Sequence, residues 1–446
     1  MNKMESMEVK RLVFSMSLPI IISMLVQALY NIVDSIFVAG ISQDALLSVS
    51  LCYPIQTIMV AVACGLGAGF NTVLAGYLGE KNFKMADHTL SHGIYLSLIC
   101  ALLFAIFGMF CAEWFLSFFT TQDHVIAMGA AYIRICTLFS FGVFVQITYE
   151  RIMQATGNVI YNMILQGAGA LINIILDRIL IYGYFGLPAM GTAGAAIATV
   201  IGQIAAMSIG ILLVQHKVKE LHVKLFPVSI SLLITKRILI IAIPSMLMQS
   251  VMSFMTVFMN MILSAFSAMA ISVFSVYYKL QQFVFMAVSG MTNALIPIIA
   301  YNHGAKRYDR IIQAADFSLV AAAGIMLAGT IVFELFPKEL LSLFHADGEM
   351  YAIGIPALRI ISISFVAAGV TMVICSILQA LNLAGASLVL TLLRQMIILL
   401  PLTYILARLI SLSFAWWSFP ITEVFTAVLA LVFYNRVKGN LRKQLA

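Results

Sequence analysis

"GALINIILDRILIYGYFG", residues 169–186, decides what kind of molecule this chain is. The run it closes, from about 159 to 184, is apolar enough and long enough to cross a bilayer as a helix, which takes about 20 residues. Yet it carries Asp177 and Arg178 side by side near its end. A charge inside the hydrocarbon costs about 3 kcal/mol on insertion scales. Either the segment is not in lipid, or Asp177 has a use there.

Composition answers the first alternative. The 446 residues are 62% hydrophobic and only 10% charged, with a mean hydropathy of +1.04. Soluble domains are roughly 25% charged. Further apolar runs fall near 13–38, 46–75, 89–112, 126–149, 191–214, 235–262, 271–300, 311–336, 351–377, 386–408 and 414–435. The expectation is an all-α membrane protein of about twelve transmembrane helices, with the lipid bilayer as its surroundings. The connecting stretches are mostly short and leave no room for a sizeable soluble domain. The first run lacks a small-residue cleavage site and leads straight into further spans, so it reads as a retained helix.

Charge orients the chain. Lys3, Lys10, Arg11, Lys81, Lys84, Arg151, Lys217, Lys236, Lys306, Arg310, Arg436 and Lys443 all fall at one set of alternate ends, whereas Lys338 and Arg408 fall at the other. Positive-inside bias therefore predicts a multi-pass protein of the cell membrane with both termini in the cytoplasm. The net charge of +7 reflects this bias. No long basic, aromatic-interleaved surface is available for a nucleic-acid strand, so no nucleic-acid partner is expected. Cys52, Cys64, Cys100, Cys111, Cys136 and Cys375 lie within or beside apolar runs without paired spacing and read as small hydrophobes.

The chain repeats itself. The offset of 225 residues that separates Pro19 from Pro244 also aligns Tyr53 with Tyr278, Gln56 with Gln281, Gly65 with Gly290, Lys81 with Lys306 and Arg134 with Arg359. Each half holds six spans, an even number, so both enter the membrane the same way. The expected organisation is two six-helix lobes related by a parallel internal repeat, 1–214 and 235–446, joined by a basic cytoplasmic linker at 215–234. Arg134 and Arg359 recur and read as structural, pairing with carbonyls or acids within each bundle. Asp34 and Asp177 face Met259 and Leu402 at this offset, so they belong to the first half alone.

Around these two acids lies a polar constellation. Asn162, Gln166, Gly169, Asn173 and Asp177 are spaced 4, 3, 4 and 4 and share one helix face. Gln27, Tyr30 or Asn31, and Asp34 form a second stripe on the first span. Such faces turn towards a bundle interior or a water-filled cavity. Counting 1.5 Å per residue places Asp34, Asp177 and Thr199 at a similar depth, roughly 9–12 Å below the outer surface, so they can meet. Two carboxylates, the amide oxygen of Asn173 and the hydroxyl of Thr199 are hard oxygen ligands suited to a hard cation. Equally, two neighbouring carboxylates could share a proton.

Several other features carry less. His88 and His92 have i, i+4 spacing, but no acid completes a metalloprotease motif, and a solvated helix end is the simpler reading; no metal is expected beyond a possible sodium ion at the acids. "GLGAG" at 65–69 sits within a span and reads as a place where two helices approach closely. Trp416 and Trp417 are expected at the outer membrane interface.

At this point the chain resembles the multidrug and toxic compound extrusion (MATE) transporters. The resemblance is carried by "SLPIIISMLVQALYNIVDSIFVAG" (17–40), "GLGAGFNTVLAGYLGEKN" (65–82), "QATGN" (154–158), "NIILD" (173–177) and "GTAGAAIATVIGQ" (191–203), and runs from about residue 10 to 440. It implies two six-helix lobes around a central cavity, and export of small amphipathic, mostly cationic compounds driven by inward sodium or proton movement. It implies Asp34, Asn173, Asp177 and Thr199 as the cation site, Gln27, Tyr30, Asn31, Asn162 and Gln166 along the substrate cavity, and Pro19 as a point of helix bending. A single chain is expected to suffice, with no cofactor besides the coupling ion. Two positions depart from the family pattern: Arg178 stands where a proline is usual, and the seventh span lacks the acid that some branches place there. Glu423 is then the only obvious acid for a cation site in the second half.

Two rivals share parts of this description. A flippase for lipid-linked oligosaccharides of related architecture would call for more helices and a cavity richer in arginine. A membrane-embedded enzyme would need a nucleophile–base pair or a metal cluster, and neither H-E-x-x-H nor G-x-S-x-G is present. No G-x-x-x-x-G-K-[ST] loop is present for direct use of ATP.

Overall fold

The computed structural model describes residues 3–218, 221, 231–344 and 346–445, so much of the basic stretch expected at 215–234 lies outside the described residues. All regular elements among the described residues are helices. In chain order the spans are α1 (Val9–Ala39), α2 (Gln43–Gly79), α3 (Phe83–Ser117), α4 (Asp123–Leu138 with Phe141–Ala155), α5 (Ile160–Tyr182) and α6 (Gly191–Lys217). The second six are α7 (Leu232–Ser264), α8 (Ala268–Gly304), α9 (Tyr308–Leu335), α10 (Gly348–Ser362 with Phe365–Ala380), α11 (Ala384–Leu409) and α12 (Ser418–Lys443). Short helices Lys3–Ser6, Pro337–Ser342 and Leu412–Ala415 lie between or before them. Taking α4 and α10 as one bent span each gives twelve.

The bends are a departure from straight spans over 126–149 and 351–377. α4 turns by 44° and α10 by 47°, at matching places in the two halves. Each break carries a buried serine whose hydroxyl satisfies a carbonyl, Ser140 on Ala101 of α3 at 3.1 Å and Ser364 on Ile361 at 2.6 Å. A second departure lies in α11, where Leu393–Ile397 form a π turn closed by Ile398 N–H on the Leu393 carbonyl at 3.0 Å. A π turn holds one residue more than an α turn. Beyond it the repeat register shifts by one, and the counterpart of Asp177 becomes Thr403 instead of Leu402. Thr403 is fully buried, and its hydroxyl meets that of Ser418 at 2.7 Å.

By contacts the chain forms two compact units. One comprises Ile22–Met246; the other comprises Lys3–Ile21 with Leu247–Ala446. Each crossing point falls two residues after the proline inside its helix, Pro19 in α1 and Pro244 in α7. Within the first unit, a Cβ on Gly65 would lie 2.5 Å from Met246 N, and one on Gly69 would lie 2.5 Å from Ile238 O. The "GLGAG" run therefore lets the first half of α7 lie on α2 with backbones touching. Within the other unit Gly290 makes the same contact with Ile21, whose Cα and N would stand 3.1 Å from an added Cβ. Gly65 and Gly290 are repeat mates, and so are Met246 and Ile21.

Polar bonds fasten the starts of these two helices. The Arg237 guanidinium of α7 donates to the Tyr77 hydroxyl of α2 at 2.5 Å, and Ser231 N–H donates to His92 Nε2 at 2.8 Å. His92 is thus a buried anchor, not the solvated helix-end residue its spacing had suggested. In the other unit Arg310 donates to the carbonyls of Met4 at 3.2 Å and Met7 at 2.7 Å and to Asn302 at 3.1 Å. Arg134 pairs with Glu113 at 2.8 Å and Arg359 with Glu334 at 3.9 Å. Both pairs are largely exposed at helix ends and not inside the bundles. Trp416 is buried, while Trp417 is exposed.

Candidate functional site

The first unit gathers the acids that the sequence singled out. Helices α5 and α6 can approach closely because of glycine: a Cβ on Gly202 would stand 2.8 Å from Gly169 O, and one on Gly194 would stand 2.7 Å from Leu180 O. Replacing hydrogen by any side chain there would wedge the helices apart. This contact brings Asn173 of α5 against Thr199 of α6, 3.3 Å from amide to hydroxyl. The α5 helix ends about one and a half turns beyond Asp177 at Gly183, which adopts φ +77° and returns its N–H to the Ile179 carbonyl.

Asp177 has none of its surface exposed, and its Oδ1 lacks a hydrogen-bond partner. Asp34 of α1 is half-buried with Oδ1 likewise unpartnered, and the two carboxyl groups lie within hydrogen-bond reach of each other. Asn173 completes the link. With its amide turned so that oxygen and nitrogen each face a suitable partner, Nδ2 donates to Asp177 Oδ2 at 3.3 Å and the oxygen accepts from Thr199 N at 3.2 Å. Asp34, Asp177, Asn173 and Thr199 therefore form one contiguous cluster contributed by three helices. Two facing carboxylates bond to each other only by sharing a proton, and otherwise need a cation between them.

A small cavity opens beside this cluster, lined by the polar residues Tyr30, Gln146, Gln166, Asn173, Thr199 and Gln203 together with Gly169, Ala170 and Gly202. Its water-accessible volume is about 30 Å³, enough for one or two waters or a small ion. Of the residues expected along a cavity, Tyr30 and Gln166 line it, and Gln27 lies beside Tyr30. Asn162 is buried on the same face with Oδ1 unpartnered but does not line it. Asn31 is exposed and does not line this cavity.

Sequence reasoning missed a third buried acid. Glu150, in the second half of α4, accepts from Gln146 Nε2 at 2.9 Å and Gln166 Nε2 at 2.7 Å, both on Oε1. It thereby orients two amides that line the cavity. Its position beside Arg151 made it look like one more charge at a cytoplasmic helix end. The i, i+4 pair Gln146–Glu150 on an otherwise apolar helix was the available signal. Arg178, by contrast, does not pair with its neighbour: it is exposed and lies over the Tyr184 ring, 5.8 Å from the centroid. Pro19 lies inside α1, next to the crossing between units. In the second unit Glu423 is held by Arg394, Nε to Oε1 at 2.7 Å.

The chain is 25% identical over 426 residues to the multidrug export protein MepA of Staphylococcus haemolyticus, covering 95% of this chain and 93% of that one. It is 24% identical over 430 residues to MepA of Staphylococcus aureus, with the same coverage. Among solved structures, an outward-facing multidrug resistance MATE family transporter of the MOP superfamily matches with a TM-score of 0.90 at 24% identity, covering 98% of this chain and 97% of that one. A MOP superfamily transporter from Pyrococcus furiosus matches with a TM-score of 0.91 at 23% identity, covering 99% of this chain and 98% of that one. These two share the fold. The MatE family model matches residues 19–179 and again 244–405, one copy starting at each of the repeated prolines. The protein therefore belongs to the MatE family, that of the multidrug and toxic compound extrusion efflux transporters.

Proposed function

We propose that this chain is a cation-coupled antiporter that exports small amphipathic, mostly cationic drugs by alternating access, with both termini in the cytoplasm and one chain sufficient for the cycle. The observation that carries the reading is the pair of neighbouring carboxyl groups, Asp34 and Asp177, tied through Asn173 to Thr199 beside a small cavity. Two acids in a membrane lobe are costly unless a proton or cation joins them. A site whose occupancy changes between the two faces of the membrane can drive a cycle, because a ligand shifts a conformational equilibrium by its differential affinity for the two states.

In this scheme a sodium ion or proton enters from outside, sits between Asp34 and Asp177, and favours the state that releases drug outward. Sodium would draw the Asn173 amide oxygen and the Thr199 hydroxyl as neutral ligands, turning the amide from its present bonds. A proton would need only the two acids. Glu150 acts on the same cavity through Gln146 and Gln166. The test is drug efflux from proteoliposomes containing only this protein, under an imposed sodium or proton gradient. Efflux that ignores both gradients, or that survives in Asp34→Asn and Asp177→Asn at the wild-type rate, defeats the proposal.

A further inference from the structure

The second unit holds its own buried charge pair, which the coupling scheme does not use. Arg394 of α11 and Glu423 of α12 meet through Nε and Oε1 at 2.7 Å, each side chain 11% exposed. The pair is incomplete: Glu423 Oε2 is buried without a partner, and so is the hydroxyl of its neighbour Thr422. Glu423 is 9% exposed as a residue. An arginine fork can engage a carboxylate with two parallel N–H bonds; here one carboxylate oxygen is left over.

Stability does not require such a pair, because buried ion pairs can be replaced by apolar side chains at little or no cost. The π turn at Leu393–Ile397 carries Arg394 itself, and such turns are frequent at functional sites. By the repeat, Arg394 stands where the first unit has Gly169, which lines the cavity beside the two acids. The first unit thus has a glycine beside an open space at this repeat position, whereas the second has an arginine paired with an acid.

Aromatic side chains adjoin the acid. Phe419 precedes Glu423 by one turn of α12, and its ring lies 5.9 Å from that of Tyr277 and 6.3 Å from that of Phe274. Tyr277 is within electrostatic reach of both Glu423 and Arg394, and its hydroxyl is held by Gln281.

We propose that Glu423, with Tyr277 and Phe419 beside it, is a subsite for the N–H-bearing cationic head of a substrate, an amidinium or primary ammonium, and that Arg394 occupies it when no substrate is bound. This rests on the reading of the chain as an exporter of organic cations. An amidinium offers two parallel donors, so it can satisfy both Oε1 and Oε2, which the single Arg394 bond does not. A quaternary cation offers none.

The test is binding to the purified full chain in detergent. The probes are the fluorescent diamidine DAPI, which carries N–H donors, and tetraphenylphosphonium, which does not. Glu423→Gln is expected to weaken DAPI about tenfold or more, the loss of one charge-assisted bond, and to leave tetraphenylphosphonium within about twofold. Should Glu423→Gln not fold with Arg394 unpaired, the charge-neutral double variant Arg394→Gln with Glu423→Gln carries the same expectation. Unchanged DAPI affinity in the folded variant overturns the subsite, and so does an equal loss of both probes. A wild-type protein that binds neither probe would overturn the exporter reading, and the subsite with it.

Discussion

Gly65 and Met246 touch backbone to backbone: the Cβ that glycine lacks would stand 2.5 Å from the Met246 nitrogen. No rotamer change relieves such a contact, because the obstacle is main chain and not the tip of a side chain. Gly65→Val should therefore force α2 and α7 apart, at about 1–3 kcal/mol. The measurement is thermal unfolding in detergent, with Gly324→Val as control, since nothing lies within 4 Å of a Cβ at Gly324. Equal melting temperatures for the two variants would show that the α2–α7 contact is looser than described.

The two acids of the first unit give the sharpest functional prediction. Asp34→Asn and Asp177→Asn should each abolish export while leaving expression near normal, since an amide keeps the shape and removes the charge. Met259→Leu, at the repeat position of Asp34, should retain at least partial transport. The π turn makes Thr403 the matching control for Asp177, and Thr403→Val should also retain transport, losing the hydroxyl's bonds to Ser418 and to the Leu399 carbonyl. Wild-type efflux in either acid variant would remove the coupling role from that residue.

Much of this was legible in the sequence, for reasons that can be named. The spans follow from hydropathy alone, and the Asn173–Asp177 face follows from helical period. That Thr199 would meet them could be counted from depth. The crossing of α1 and α7 between units could not be read, because Gly65 and Gly290 are compatible with either partner until the chain is packed. Glu150 was hidden by Arg151, since a charge pair at a span's end looks solvated in one dimension. The π turn was hidden because one extra residue inside an apolar run leaves hydropathy unchanged.

Glu150 makes a prediction separate from that of the two aspartates. It accepts two amide N–H groups on one oxygen, so Glu150→Gln replaces a charged acceptor by an amide that also brings donors of its own. Gln146 and Gln166 must then reorient at the cavity wall. Export should fall about tenfold or more, consistent with about 1.5–3 kcal/mol for bonds to a charged group, with the protein still folded. Wild-type kinetics for every substrate tested would make Glu150 a packing residue only.

Topology is checked independently of transport. Reporter fusions at residue 1, within 217–225 and at residue 446 should all report cytoplasm, as the lysine and arginine distribution requires. An external signal from 217–225 would contradict both the orientation and the even number of spans before it.

The coupling ion is decided by the neutral members of the cluster. Asn173 bridges Asp177 and Thr199, and a bare proton carrier has no need of either an amide or a hydroxyl at that place. If sodium is bound, Asn173→Leu and Thr199→Val each remove an oxygen at similar size and should weaken sodium binding without moving the pH dependence of efflux. Because the acids are close enough to share a proton, sodium and that proton would compete for one site. Adding sodium to unbuffered detergent-solubilised protein at neutral pH should then release protons from the wild type and none from Asp34→Asn or Asp177→Asn. Proton release together with efflux driven by a sodium gradient at equal pH establishes a shared site. Absence of both, with full stimulation by a pH gradient alone, leaves protons as the coupling ion and reduces Asn173 and Thr199 to holding Asp177 in place.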